Sequence, residues 1–209
     1  MLDYGKKTYI MGILNVTPDS FSDGGDYTNI DIAVNHAKEM IELGADMIDL
    51  GGESTRPGHK FVSAEEEISR IVPVIKRLKE EINVPISIDT YKSEVAEEAL
   101  KLGVDMVNDV WGLTYDGKMA DVVAKYDGEV CIMHNQEGTD YDKDIMEAIK
   151  EFLQNSIDMA LKAGVKKEKI VLDPGIGFGK TYEQNIEVLE RLGELRDLGY
   201  PVLPNQIGR

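Results

Sequence analysis

Asp89-Thr90-Tyr91-Lys92 closes a short apolar run, Pro85 to Ile88, and leads into a segment with Val95, Ala96, Ala99 and Leu100 at helical spacing. A buried strand that ends on an acid and passes into a helix is one βα unit. Outward from it the same pattern recurs. Thr8 to Leu14 is an apolar run ending at Asn15, and Asp46 to Leu50 carries Asp49 at its end with Glu53 just beyond. Met106 to Asp109 ends on Asn108-Asp109, Val130 to Met133 runs into His134, and Ile170 to Asp173 ends on an acid. Acids and amides that recur at strand C-terminal ends predict one rim with one site, which is where α/β proteins place ligands.

The intervening segments read as helices. Ile30, Ala33, Val34, Ala37, Met40 and Ile41 share one face, as do Ile68, Ile71, Val72, Ile75 and Leu78 after a Ser63/Glu66 capping box. Further helices are predicted over Met119 to Tyr126, Asp144 to Ala163 and Tyr182 to Asp197, and Pro201-Val202-Leu203 starts a seventh strand. Two helix exits repeat: Leu43-Gly44-Ala45-Asp46-Met47-Ile48-Asp49 and, two βα units later, Leu102-Gly103-Val104-Asp105-Met106-Val107-Asn108. The glycine supplies the left-handed C′ residue. Strict βα alternation requires a parallel sheet, open or closed. Ligand groups on almost every successive strand favour closure, because an open sheet concentrates its site at one switch point. The expected fold is therefore α/β, a TIM-type (β/α)8 barrel, incomplete at six βα units plus a seventh strand. It forms one domain over residues 1–209, where a full barrel takes about 250 residues.

Composition narrows the partners. A net charge of −16 argues against nucleic acid or an anionic membrane surface as the main partner. No apolar run approaches the roughly 18 residues of a membrane span. There is no signal-peptide pattern at the N-terminus. The single cysteine, Cys131, rules out an intrachain disulfide framework, fits a cytoplasmic setting, and reads as core within its apolar strand.

Asp173-Pro-Gly-Ile-Gly-Phe-Gly-Lys180-Thr181 invites a nucleotide reading that fails on inspection. The phosphate-loop pattern needs glycine at 174, which is proline, and the dinucleotide pattern needs glycine at 180, which is lysine. What remains is a flexible, donor-rich ligand turn with an acid at its entrance and a cation at its exit. Ser54-Thr55-Arg56-Pro57-Gly58 brings hydroxyls, a guanidinium and backbone amides into one turn, which suits an oxyanion or an arginine paired to a neighbouring acid. Asp89, Asn108 and Asp173 present acceptors fit for a flat ligand rich in N–H groups, or cap the helices that follow. His36 is mid-helix and reads as surface, while His134 reads as a rim residue. No cysteine–histidine spacing suggests zinc.

Asn15-Val-Thr-Pro-Asp-Ser-Phe-Ser-Asp-Gly-Gly25 and Asp49-Leu-Gly-Gly-Glu-Ser-Thr-Arg-Pro-Gly58 resemble the two signature segments of the dihydropteroate synthases. Ile88-Asp-Thr-Tyr-Lys92, Asn108-Asp-Val110, Met133-His134 and Asp173 to Lys180 match that family's pattern in order and spacing. The resemblance implies a TIM-type barrel that joins p-aminobenzoate to a hydroxymethyl-dihydropterin pyrophosphate in folate synthesis, with Mg²⁺ as cofactor. It implies that Asn15 binds the magnesium and that Thr55 and Arg56 hold the pyrophosphate and aminobenzoate side. Asp89, Asn108 and Asp173 would grip the pterin, with Met133 packing near it and Phe178 and Lys180 contacting substrate. Asp19, Phe21 and Asp23 would belong to a first loop that covers the reaction, and Arg56, Asp23 and Phe21 would take part in catalysis.

The family's Ser-Arg-Lys and Arg-x-His motifs do not appear in Leu203-Pro204-Asn205-Gln206-Ile207-Gly208-Arg209. The resemblance therefore implies that helix 7, strand 8 and helix 8 are lacking, with much of the family's homodimer interface, and impaired turnover is the expectation. Two other readings stay open: the pterin-binding domain of a methyltetrahydrofolate methyltransferase, and a pterin-binding remnant without turnover.

Overall fold

The computed structural model describes residues 2–16, 26–53 and 61–204. It contains two compact units, residues 1–108 and 109–209.

The first unit runs β1 (Met11–Asn15), α1 (Asp26–Glu42), β2 (Met47–Gly51), α2 (Ala64–Glu81), β3 (Ile86–Asp89), α3 (Ser93–Lys101) and β4 (Met106–Asp109). Its strands pair in parallel and in sequence order. Leu14, Leu50, Ile88 and Val107 lie side by side in the register and are buried. They belong to the face that meets the helices: a side chain at Gly12, two residues before Leu14, would strike Met40 of α1 at 2.9 Å. Strand residues alternate, so Asn15, Asp49, Gly51, Ser87, Asp89 and Asn108 all belong to the opposite face.

The repeated helix exit has a structural explanation. Gly44 and Gly103 take φ of +112° and +83°, conformations that cost a side chain-bearing residue energy. The aspartate two residues later then ties down a neighbouring strand. Asp46 accepts from the amide of Ile10 at 3.0 Å, and Asp105 from that of Ile86 at 2.9 Å. This also explains why β1 starts at Met11 and not at Thr8: Ile10 gives its amide to a carboxylate.

The second unit runs α4 (Met119–Lys125), β5 (Glu129–Met133), α5 (Ile145–Ala163), a short 3-10 turn (Lys167–Lys169), β6 (Ile170–Asp173), α6 (Tyr182–Glu190) and a 3-10 helix (Leu192–Leu198). β5 and β6 pair in parallel, with Cys131 beside Val171 and fully buried. Asp144 caps α5 by accepting from the amides of Met146 and Glu147. Thr181 and Gln184 form a complete capping box on α6.

Three local expectations change. The helix predicted from Tyr182 to Asp197 breaks after Glu190. Arg191 there turns to Asp144, Glu187 and Glu194, and Gly193 is a poor helix former. The predicted seventh strand is a single parallel bridge, Val202 to Leu172. At α2, Ser63 accepts from the Glu66 amide, but the Glu66 carboxylate pairs with Arg70.

Candidate active site

Parallel register in the first unit sets four residues in one lateral row: Asn15 beside Gly51, Gly51 beside Asp89, Asp89 beside Asn108. Adjacent strands lie about 4.8 Å apart, so the row's spacing is fixed by the backbone ladder. At its second position there is no side chain. A Cβ on Gly51 would stand 3.0 Å from Asn15 Oδ1 and 3.7 Å from Asp89 Oδ2, so both oxygens face the space above the glycine.

Beneath that row sits a second one, with Asp49 opposite Ser87. Asn108 donates from Nδ2 to Asp49 Oδ2 at 3.0 Å, both residues being buried. Burial holds the Asp49 carboxyl above its usual range, with Ser87 and Asn108 opposing that shift. This bond orients the Asn108 carboxamide. Its carbonyl oxygen is buried and has no hydrogen-bond partner among the described residues. Buried acceptors are nearly always satisfied, so this one marks a place for a donor. The first unit therefore offers hydrogen-bond acceptors along the row, as the N–H edge of a flat heterocycle requires. Asp49 was legible in the sequence only as a strand-end acid, and its partner lies 59 positions away.

A buried charge cluster adjoins the segment that follows β2. The Lys92 ammonium pairs with Glu53 and, at 2.6 Å, with Glu67. Tyr91 donates from its hydroxyl to Glu53 at 3.1 Å, and the Val62 amide donates to the same carboxylate at 3.1 Å. Burial works to depress the Lys92 ammonium, but Glu53 and Glu67 outweigh it and hold it above the ordinary lysine value. Burial pushes Glu67 upward against the pull of Lys92. This cluster escaped the sequence reading, which took Lys92 as part of a loop motif. Residues 53, 67 and 92 share no local spacing that would reveal it.

In the second unit, Asp173 ends β6 and accepts from the Gly175 amide at 2.7 Å. The glycine turn beyond it is fastened at several points. Phe178 donates its amide to Gly175 O at 3.1 Å, and Gly177 donates to Asn185 Oδ1 at 2.7 Å. Lys180 Nζ donates to Gly175 O and Phe178 O, each at 2.9 Å, and to His134 Nδ1 at 3.0 Å. The backbone of Gly175, with φ of +71°, passes so close to His134 that a Cβ would sit 1.9 Å from its carbonyl oxygen. These bonds correct the expectation of a flexible, donor-rich turn: the Gly175, Gly177 and Phe178 amides are all engaged within the chain. The lysine at the turn's exit is buried, not held out in solvent.

His134 is likewise buried, between Phe152 edge-on at 5.0 Å and Tyr141 stacked at 6.2 Å. Burial and the Lys180 charge push its pKa down to about 3, so the ring is neutral. Burial brings Lys180 down to about 8. Met133 is completely buried in β5, and Phe178 is partly exposed in the turn. Asp109, which follows Asn108, is occupied by the amides of Trp111 and Leu113. Burial raises it to about 6, and it holds a turn.

Asp19, Phe21, Asp23, Thr55 and Arg56 lie outside the described residues. His36 is exposed, as its place in mid-helix predicted. Among the described residues no three His, Cys, Asp or Glu side chains converge as a metal cage, and no helix is long and apolar enough to cross a membrane.

Comparison with known proteins agrees with this geometry. The profile of the pterin-binding enzyme family matches residues 11–205. The chain is 59% identical over 199 residues to a dihydropteroate synthase of Clostridium beijerinckii, covering 95% of this chain and 74% of that one. It is 52% identical over 202 residues to that of Bacillus subtilis, covering 97% and 70%. Among solved structures, it superimposes on a dihydropteroate synthase from Clostridium difficile, crystallised in the presence of pteroic acid, with a TM-score of 0.96. That match has 72% identity and covers 99% of this chain and 78% of the other. The Xanthomonas albilineans enzyme with 4-aminobenzoic acid gives a TM-score of 0.90 at 43% identity, covering 95% and 72%. The parallel α/β fold is thus of the TIM type, and the chain belongs to the pterin-binding enzymes, in their dihydropteroate synthase family.

Proposed function

We propose that this chain binds a dihydropterin pyrophosphate and joins its methylene carbon to the amino nitrogen of p-aminobenzoate, releasing pyrophosphate. The observation that carries the reading is the row Asn15, Gly51, Asp89, Asn108, with the buried acceptor of Asn108 held out by Asp49. A pterin's aminopyrimidinone edge supplies N–H donors for such acceptors, and bonds to ionised carboxylates are about twice as strong as neutral ones. Asp89 and Asn108 in the first unit, and Asp173 in the second, are the proposed pterin acceptors.

The condensation needs no nucleophile from the chain. The aniline nitrogen attacks the methylene carbon, the carbon–oxygen bond breaks, and the electron pair leaves with pyrophosphate while the nitrogen gives up a proton. Binding the two reactants in line supplies much of the acceleration. Thr55 and Arg56 are proposed to hold the pyrophosphate and the aminobenzoate, and Phe21 and Asp23 to cover the reaction.

Magnesium fits the oxygen donors present, since Asn15 offers a carboxamide oxygen at the open end of the row. A single protein ligand supplemented by substrate phosphates and water is the usual arrangement for this ion. When bound, it would neutralise the leaving pyrophosphate. A cytoplasmic homodimer completes the reading; the lone buried thiol of Cys131 is compatible with a reducing compartment.

Calorimetric titration with dihydropterin pyrophosphate and Mg²⁺, followed by chromatography for dihydropteroate after adding p-aminobenzoate, tests the reading. Saturable binding that Asn108→Ala weakens is the expected result. No binding to a folded wild-type chain would sink it.

A further inference from the structure

Lys180 is the only cation of the glycine turn, and a lysine beside a phosphorylated ligand is naturally taken for an anion contact. Its hydrogen bonds point elsewhere. An ammonium has three N–H donors, and three acceptors already receive them: Gly175 O and Phe178 O at 2.9 Å and His134 Nδ1 at 3.0 Å. The nitrogen is buried, so none of these bonds is shared with solvent at small cost. Lysine carries no acceptor, so His134 must present an unprotonated Nδ1. Phe152 and Tyr141 pack that ring from two sides, and Tyr141 also donates to Gly179 O at 2.9 Å. Burial holds the Tyr141 hydroxyl at about 12, so it stays neutral.

One of the three acceptors, Gly175, is also the residue whose amide donates to Asp173 Oδ1 at 2.7 Å. The lysine holds the carbonyl side of Gly175 and the aspartate holds its amide side. We propose that Lys180 is a positioning residue: it fastens the Gly175 turn to the end of β5 through His134, and so aims the Asp173 carboxylate, without itself reaching substrate. The aiming of a pterin acceptor rests on the function proposed above, whereas the fastening of the turn does not.

His134 from the end of β5 and Asp173 from the end of β6 face the ammonium, and Tyr141, from the segment before α5, stacks on the His134 ring. Burial and the lysine's charge hold His134 down at about 3 and burial holds Tyr141 up at about 12, while burial brings Lys180 to about 8. Burial depresses the Lys180 pKa in the closed turn below the value it regains on opening, so by linkage the closed turn is favoured more strongly as pH rises through about 8.

The test combines amide hydrogen exchange with pterin titration, on wild type and Lys180→Met. In the variant, protection is expected to fall at the Gly175 and Phe178 amides, while the amides of β5 and β6 keep theirs. Affinity for dihydropterin pyrophosphate should drop about tenfold. Wild-type protection at the Gly175 and Phe178 amides, corrected for intrinsic exchange, should rise as pH passes about 8, and the variant's profile should lack that component. Should Lys180→Met fail to fold, exchange at Gly175 and Phe178 in wild type across the same pH range gives the answer without a variant. Unchanged protection at the two amides overturns the proposal. So does lost affinity with protection intact, which would make Lys180 a direct contact. A wild type that binds no pterin refutes the proposed function instead, and the exchange data still decide whether Lys180 fastens the turn.

Discussion

Replacing Lys92 by methionine should expose how much of the first unit's stability depends on one buried ammonium. Lys92, Glu53 and Glu67 have side chains only 5%, 3% and 1% exposed. Methionine nearly matches the lysine stem in length, so packing is largely kept and two carboxylates lose their counter-charge. Removing one partner of a buried pair costs about 3–5 kcal/mol, a large share of a typical total of about 5–15 kcal/mol. In urea, with m of about 2–3 kcal/mol per molar, the midpoint should fall by about 1–2.5 M at unchanged m.

The pH dependence gives a second signature. Burial already raises Glu67 above its ordinary value in the wild type, and removing Lys92 removes the charge that opposes the shift. A carboxyl raised in the folded state favours folding below its unfolded pKa. That contribution is lost as pH rises through the folded pKa. The deficit of Lys92→Met should therefore be greatest at neutral pH and shrink on acidification. Adding Glu67→Gln should recover part of it at pH 7, because the two sites are coupled. A midpoint shift equivalent to less than about 1 kcal/mol, or a deficit that grows on acidification, would refute the reasoning.

Four further outcomes follow from the geometry. Gly175→Ala adds a Cβ 1.9 Å from His134 O at a φ of +71°, so it should destabilise by more than the ~1 kcal/mol of left-handed strain alone, read as a lowered thermal midpoint. Asn108→Ala should weaken pterin affinity by about 1–3 kcal/mol in calorimetry, and it also strips Asp49 of its donor. Arg191 holds the Asp144 carboxyl down at about 2, which favours folding above the ordinary 3.8 and is lost as pH falls through about 2. Arg191→Ala should accordingly flatten the stability curve in that acid window, as followed by urea midpoints. Cys131 is fully buried, so a thiol reagent should label it only at the rate of unfolding.

The sequence carried the frame because each βα unit announces itself locally. Apolar runs, helix-exit glycines and strand-end acids all lie within a few residues of one another, and the repeat ending at Asp49 and Asn108 placed two strands before any contact was known. That Asp49 and Asn108 bond each other was beyond such a reading, since it depends on the register of strands 59 positions apart. The Lys92 cluster was hidden for the same reason: charge looks like surface until three distant residues meet. Lys180 looked like a free cation because nothing in Gly-Phe-Gly-Lys reveals that His134, 46 positions earlier, sits beside it. The break after Glu190 was missed because a helical pattern persists through Leu195 and Leu198, while Arg191 is drawn to the cap of another helix.

The row that ends at Asn108 acts as a ruler cut into the backbone. Its graduations are strand spacings, which no side-chain substitution in the surrounding helices can stretch. For the pterin proposed to bind there, selectivity along it would turn on polarity, on which edge atoms donate and which accept. It would also turn on the one blank graduation at Gly51, where any added methyl would stand against Asn15 and Asp89. An inhibitor that rearranges its donors loses the row even if its outline is perfect, whereas one that keeps them has freedom to vary elsewhere. On the proposed pterin site, escape by mutation would be correspondingly narrow, because a residue that spoils the inhibitor's reading of the ruler would spoil the substrate's as well.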